Sequence, residues 1–366
     1  MMVVLGTVPD PGPTPPDAEG DPETMTAAEK TQQGGESTMF TLDREMPNLV
    51  AVDAYIRSYM NWDYNTGTSR LWSLYEKSKI AQWNVSTDID WSYPVDFGVP
   101  LPQEHSIGVV RFAELEGSPV PPQLRTRFLW EYQAWMVSQF LHGEQGALLT
   151  TARLVETVPD MAAKVYAAAQ VADEARHVEA YARYIDEKLQ VSYPINPGLG
   201  ALLRDLLSDS RWDIVYLGMQ VVVEGLALAA TRVASSGFGD PIVNSITKLI
   251  ARDEARHVAF GLIALSGLYS ELTSMEIGER EAFLLEAIHL MSQRFTLREV
   301  WESLGVDVAQ GIAFAKTNPT MISFRQLIFQ KVVQLLKQIG LLSPKLTDLL
   351  LSEALVRPDF LRAAES

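Results

Sequence analysis

Asp173-Glu174-Ala175-Arg176-His177 recurs as Asp253-Glu254-Ala255-Arg256-His257, 80 residues further along the chain. Glu144 and Glu224 stand 80 residues apart as well, each 30 residues ahead of the next motif's Glu, and Thr151 and Thr231 follow at the same offset. Within each motif the Glu and the His are three positions apart, so they share one face of a helix. Carboxylates and imidazoles grouped this way suit divalent metals such as iron and manganese. Hard oxygens neutralise and bridge the ions, while one His per ion leaves coordination positions open. One Glu from each of two helices, with Glu-x-x-His from each of two more, is the donor set of a two-metal carboxylate centre inside a helical bundle. The expected ligands are therefore Glu144, Glu174, His177, Glu224, Glu254 and His257. Four carboxylates balance two divalent ions, which is what lets such charges be buried.

A single Glu-x-x-His is usually a solvated pair on a helix surface. Two copies at one offset, each preceded by a Glu within apolar sequence, are a different matter. Val221-Val222-Val223-Glu224-Gly225-Leu226-Ala227 puts a carboxylate where core residues belong, and without a partner it would be costly there. The flanking residues fit the same scheme. A metal-bound His gives its second N–H to an acceptor, often a carboxylate. Asp173 and Asp253 are expected to hold the His of the opposite hairpin, and Arg176 and Arg256 to pair with those Asp residues.

Positioning these groups requires helices. Runs of alternating strand pattern are absent, and from Pro121-Pro122 onward periodic Leu, Val, Ala and Ile dominate, so the class is all-α. Val158-Pro159-Asp160 and the run from Ser235 to Pro241 carry stop and start signals that turn each repeat into a helical hairpin. Glu144 and Glu174 each lie about 14 residues from their turn, roughly 20 Å at the helical rise, and so stand level across the hairpin. Glu224 and Glu254 match in the same way. Two such hairpins make a four-helix bundle over about 122–270, with four Glu and two His at one height.

Around that core, residues 1–38 are rich in Pro, Gly, Asp, Glu and Thr and read as a disordered leader. Met39 is an alternative start. Residues 39–366 are expected to form a single domain. Helical stretches are expected near 49–60 and 68–82, followed by a Trp- and Pro-rich segment through Trp91, Pro94, Pro100 and Pro102. Helices around 280–300 and 320–340 would buttress the bundle or form the face of a homodimer.

Composition narrows the chemistry. With 366 residues and 47% hydrophobic content the chain can bury a large core. Its net charge of -16 repels nucleic acid. The absence of cysteine excludes thiolate sites, iron–sulfur clusters and cysteine nucleophiles. Electrons for redox work must then come from an external donor or reductase. The start lacks a basic n-region, and no apolar run is expected to reach a membrane span, so the cytoplasm is the expected location.

The Glu followed by Asp-Glu-x-Arg-His, occurring twice, resembles the ferritin-like di-iron carboxylate superfamily. The doubled motif is similar to that of the hydroxylase subunits of bacterial multicomponent monooxygenases. Gln82-Trp83-Asn84 and Thr87-Asp88-Ile89-Asp90-Trp91 resemble the segment ahead of the bundle in the monooxygenase and ribonucleotide reductase small-subunit branches. The motif match covers about 135–270. It implies O2 activation at a reduced metal pair, with two iron ions as cofactor and Fe/Fe favoured over Mn/Fe.

Weaker signals surround the motif. Tyr181, seven residues after Glu174, lies on the ligand face. In ribonucleotide reductase small subunits a tyrosine at this offset can carry a radical, while core packing with a bonded hydroxyl is the plainer reading. His142 and His289 are expected to be structural or exposed, and Trp72, Trp83, Trp91, Trp130, Trp135, Trp212 and Trp301 to be anchors. Phe140, Ala147, Leu148 and Thr151 beside Glu144, and Gln220, Val221, Ala227, Leu228 and Thr231 beside Glu224, fit a dry pocket or plain packing. The leading expectation is an O2-dependent oxygenase, a hydroxylase or N-oxygenase, acting on a small organic substrate. A radical-generating or two-electron oxidase and an iron store are the alternatives.

Overall fold

The computed structural model describes residues 49–64, 69–96, 112–238 and 240–365. The chain divides into Met1–Ala51 and Val52–Ser366. The expected leader, Met39, Pro100, Pro102 and His105 lie outside the described residues. Among the described residues the structure is helical, with no strand.

Four helices carry the candidate ligands. The first hairpin pairs α2 (Arg125–Thr157) with α3 (Met161–Tyr184), following α1 (Arg70–Ile80). After α4 (Pro197–Ser208) comes a run without a break: α5 (Trp212–Tyr216), a π-helical segment Leu217–Val223, and α6 (Glu224–Gly237). It pairs with α7 (Pro241–Ala264) as the second hairpin. Both turns fall where stop and start signals place them. Asp160 caps α3 by accepting from the Ala163 N–H, and Asp240 caps α7 by accepting from Ile242, with Pro241 opening the helix. α3 packs against α7, which joins the hairpins into one bundle, and α1 lies across both.

The flanking helices are α8 (Ser274–Gln293), α9 (Arg298–Leu304), α10 (Val308–Thr317), α11 (Pro319–Gln338), α12 (Pro344–Ser352) and α13 (Pro358–Glu365). α11 buttresses the bundle: Val332, Val333, Leu335 and Leu336 are buried within the chain's own core. Close approach depends on Gly225, beside the expected ligand Glu224. A Cβ there would stand 3.1 Å from Leu335 Cδ1 and 3.2 Å from Val332 Cγ2.

Two expectations need correction. Residues 49–60 are not helical. Val50, Tyr55 and Met60 are exposed, so no apolar face is buried to stabilise a helix there. The segment is instead tied to the α2–α3 turn, through the Tyr59 N–H donating to Glu156 O at 3.0 Å and Asn61 Nδ2 donating to Pro159 O at 2.8 Å. One run, Trp212–Ser235, is long and apolar enough by length and composition to cross a membrane. Most of it is buried among the chain's other helices, and it carries Glu224 of the candidate site.

Candidate metal centre

The six motif residues converge inside the bundle. Glu174, His177 and His257 are fully buried; Glu224 and Glu254 are 1% exposed and Glu144 is 6% exposed. Donor atoms of Glu144, Glu174, His177 and Glu254 lie within 4.8 Å of one another, and so do those of Glu174, Glu224 and His257. His177 Nδ1 is 3.2 Å from Glu144 Oε2, 3.2 Å from Glu174 Oε2 and 3.5 Å from Glu254 Oε1. His257 Nδ1 is 3.2 Å from Glu174 Oε1, 3.7 Å from Glu224 Oε1 and 3.7 Å from Glu254 Oε2. Glu174 and Glu254 thus each offer one oxygen to either half of the site, while Glu144 and Glu224 serve one half each.

These residues fit a pair of metal ions. Glu174 Oε2, Glu254 Oε2 and His257 Nδ1 are buried with no hydrogen-bond partner. Such atoms are expensive to leave unmatched: Glu254 Oε2 lies 3.7 Å from His257 Nδ1, and Glu174 Oε2 lies 3.2 Å from His177 Nδ1. Two divalent cations would satisfy the donors and cancel the four carboxylates.

Protonation shows what the cations would replace. Burial pushes Glu144 up to about 8, against the pull of His177. Burial, with Glu254 and Glu174 beside it, holds Glu224 well above the ordinary carboxylate range. Burial disfavours charge on His177, but Glu144 and Asp253 raise its pKa well above the ordinary value. Glu174 and Asp173 raise that of His257 in the same way against burial. Without cations, protons compensate the carboxylates.

The outer layer is built across the hairpins. His177 Nε2 lies 3.1 Å from Asp253 Oδ2, and His257 Nε2 lies 3.4 Å from Asp173 Oδ2. Arg176 Nη2 donates to Asp173 at 2.5 Å and to Asp253 at 3.3 Å; Arg256 pairs with Asp253 and lies 3.6 Å from Asp173. Against burial, His257 and His177 hold Asp173 and Asp253 below the usual carboxylate range.

Three contributors escape the motif reading. Trp83, expected only as an anchor, donates its indole N–H to Asp253 Oδ2 at 2.8 Å and stacks on His177 at 6.3 Å between ring centroids. Gln82 donates to Asp173 at 3.0 Å. Gln170 donates to both Glu174 Oε1 and Glu224 Oε1 at 2.9 Å, and accepts from Gln220 at 3.1 Å. The signal for Gln170 was its position four residues before Glu174, on the ligand face. No spacing rule reaches Gln82 and Trp83, which come from a loop.

The repeat is broken around this shared core. At the 80-residue offset Gln170 corresponds to Ile250, Gln220 to Phe140, and Tyr181 to Gly261. Polar groups therefore line the Glu224 half, and aromatic rings the Glu144 half. Tyr181 is fully buried against Phe140, 5.5 Å between centroids, but its hydroxyl has no partner, so the bonded hydroxyl expected there is absent. Burial, with Glu144 and Glu254 nearby, pushes its pKa well above the ordinary phenol value.

A cavity of about 100 Å³ opens on the centre. Glu144 and Glu224 both line it, with Trp135, Phe140, Met219, Phe295 and Ile328 among its apolar walls. Phe140, Ala147 and Ala227 are cavity residues as the helix faces suggested; Leu148, Thr151, Gln220, Val221, Leu228 and Thr231 are not. His142 Nε2 donates to the Tyr193 carbonyl oxygen at 2.8 Å, and the exposed His289 meets Glu353 at 2.6 Å, so neither joins the centre.

No family model matches this chain, and no curated protein matches it. Solved structures do show similarity. One is a variant of an R2-like ligand-binding oxidase with anaerobically reconstituted Mn/Fe cofactor: 17% identity, 77% of this chain and 96% of that chain covered, TM-score 0.42. A second variant of an R2-like ligand-binding oxidase, with aerobically reconstituted Mn/Fe cofactor, gives 17% identity, 76% and 98% coverage and a TM-score of 0.43.

Proposed function

We propose that this protein is a two-metal oxidoreductase that activates O2 for the oxidation of a small organic substrate, an oxygenase of the hydroxylase or N-oxygenase kind. The observation that carries this reading is the opening of an apolar cavity directly onto Glu144 and Glu224, two of the six converged donors. A bound metal pair would supply O2 binding and electron transfer there. The chain's own residues do the rest. Asp253 and Asp173 hold the Nε2 sides of His177 and His257, so both Nδ1 atoms are turned toward the carboxylates that would share the ions. Gln170 fixes Glu174 and Glu224 from the polar side. The apolar cavity wall excludes water from the reacting molecule. Iron in both positions is the proposed content, in preference to Mn/Fe, with electrons from an external donor in a chain without cysteine.

Titration of the metal-free protein with Fe(II) in air tests this. The expected result is two irons per chain, O2 uptake near one per metal pair, and then no further uptake until re-reduction. Uptake continuing to tens of irons per chain would replace the reading with iron storage. Elemental analysis after growth with both metals separates Fe/Fe from Mn/Fe.

Tyr181 favours a second reading, that of a radical-forming or two-electron oxidase. Its hydroxyl is buried, lacks a partner, and lies within the electrostatic reach of Glu144 and Glu254. A tyrosyl radical signal after oxygenation of the reduced protein, lost in Tyr181→Phe, would establish it.

A further inference from the structure

The cavity wall holds more positive charge than an apolar pocket needs. Arg294 and Arg325 both line it, from the turn after α8 and from α11. Arg294 has no carboxylate at ion-pair distance among the described residues; its contact is Met291 Sδ at 3.8 Å. The carboxylate whose charge it feels belongs to Glu299. Both Glu299 oxygens are already engaged, by the Trp135 indole N–H at 3.2 Å and by Asn196 Nδ2 at 2.8 Å. Burial pushes the Arg294 guanidinium down to about 10, so it stays charged at neutral pH.

Arg325 is 6% exposed. Its Nη1 and Nη2 donate to the carbonyls of Ala315 and Lys316 at 3.2 and 3.1 Å, and its Nε has no partner. Tyr132, buried and lining the same cavity, keeps its phenol proton because burial raises its pKa. Once two divalent ions neutralise Glu144, Glu174, Glu224 and Glu254, these arginines are the charges of the cavity wall that lack an ion-pair partner among the described residues, with Glu299 and Glu353 acting on them only from beyond contact. A buried cation without a counter-ion is costly, and an anion that enters would relieve that cost.

We propose that the cavity takes a small, largely apolar molecule bearing one carboxylate, and that Arg294 holds that carboxylate. Arg guanidinium presents paired N–H donors that match carboxylate geometry, which makes it a better anchor than a point charge. The rest of such a molecule lies along Trp135, Phe140 and Phe295, with the Glu144 and Glu224 side of the cavity within the same enclosure. The volume sets the size. About 100 Å³ is smaller than the roughly 150 Å³ engineered cavity that admits benzene, so the apolar part is a short chain of a few carbons and not a ring. This inference deepens the oxygenase reading and rests on it for the claim that the bound molecule is the substrate.

The test compares propionate with propionamide and butyrate with butyramide, by calorimetry at pH 7. It uses the full chain loaded with Mn(II) and kept free of O2. At least one acid is expected to bind about tenfold or more tightly than its amide, the scale of a hydrogen bond to a charged group. Arg294→Met should abolish that preference, and Arg294→Lys should restore part of it, with Mn(II) content and helical circular dichroism unchanged in both. Equal binding of acid and amide, or no binding of any of the four, would overturn the proposal. So would an acid preference that survives Arg294→Met, because the carboxylate would then sit on the metals. If Arg294→Met lowers helical content, the uncharged Arg294→Gln decides: loss of the preference there, with part of it kept in Arg294→Lys, supports the proposal, and retention in Arg294→Gln overturns it. Failure of the oxygenase reading shows separately, as absent O2 uptake by the iron-loaded wild-type protein.

Discussion

His177 Nε2 lies 3.1 Å from Asp253 Oδ2, which belongs to the other hairpin, 76 residues away in sequence. The same crossing joins His257 to Asp173 at 3.4 Å. Each imidazole is thus oriented by the repeat that does not contain it, and each hairpin depends on the other for a correctly aimed Nδ1. Asp253→Asn keeps the shape but removes the charge that favours the N–H. Metal affinity should fall by about 10–100-fold while the helical content stays intact. Competition with a coloured chelator measures it; an unchanged affinity would refute this role for Asp253.

Replacing ligands should separate metal binding from folding. Glu144→Ala and Glu254→Ala are expected to lose metal, read by elemental analysis, with the helical circular dichroism retained. Glu224→Gln is the finer case. Burial and its neighbours favour the protonated form of Glu224 in the metal-free protein, and the neutral amide imitates that form. The metal-free melting temperature should hardly move, while the second metal is lost. A large drop in metal-free stability would show that Glu224 is needed as a charge even without metal.

Metal loading should release protons. Glu144 rises to about 8 in the metal-free site, Glu224 lies well above its ordinary value, and both His residues are raised as well. At pH 7 these groups carry protons that cations must displace, so apparent affinity should increase with pH through about 8 and weaken as pH falls. Calorimetric Mn(II) titrations in two buffers of different ionisation enthalpy give the count. More than one proton released per chain is expected, and none would contradict this picture of the site.

Tyr181→Phe removes a buried hydroxyl that has no partner. Deleting such a group costs little, so stability should stay within about 1 kcal/mol of wild type or rise. Denaturant unfolding of both proteins in the metal-free state checks this; a larger loss would mean that the hydroxyl makes a bond in solution.

Gly261→Ala should be destabilising by about 1–3 kcal/mol. Its Cβ would stand 2.5 Å from Gln220 Cβ, in the π-helical segment whose Gln220 donates to Gln170. The contact lies close to the backbone of both helices, so rotation of a side-chain end cannot relieve it. Urea unfolding midpoints measure the effect, and reduced metal affinity should accompany it through Gln170.

Sequence alone determined the helical class, the two hairpins and the six carboxylate and imidazole side chains that converge between them. Those depend on local rules: three-residue spacing puts Glu and His on one face, stop and start residues end the helices at their turns, and the 80-residue repeat gives level pairs. Even the crossed Asp–His bonds were legible, because a doubled motif in a two-fold bundle leaves each imidazole one free nitrogen. Only the tertiary structure decided what closes the site. Gln82 and Trp83 reach Asp173 and Asp253 from a loop, across separations of 91 and 170 residues, and no periodic pattern encodes such contacts. Residues 49–60 carry apolar residues without a face to bury them against, and tertiary burial, not propensity, decides whether such a stretch becomes a helix. The cavity depends in the same way on α11 and the turn after α8 meeting the bundle, since Arg294 and Arg325 become its wall only when those flanking elements pack against Glu144 and Glu224.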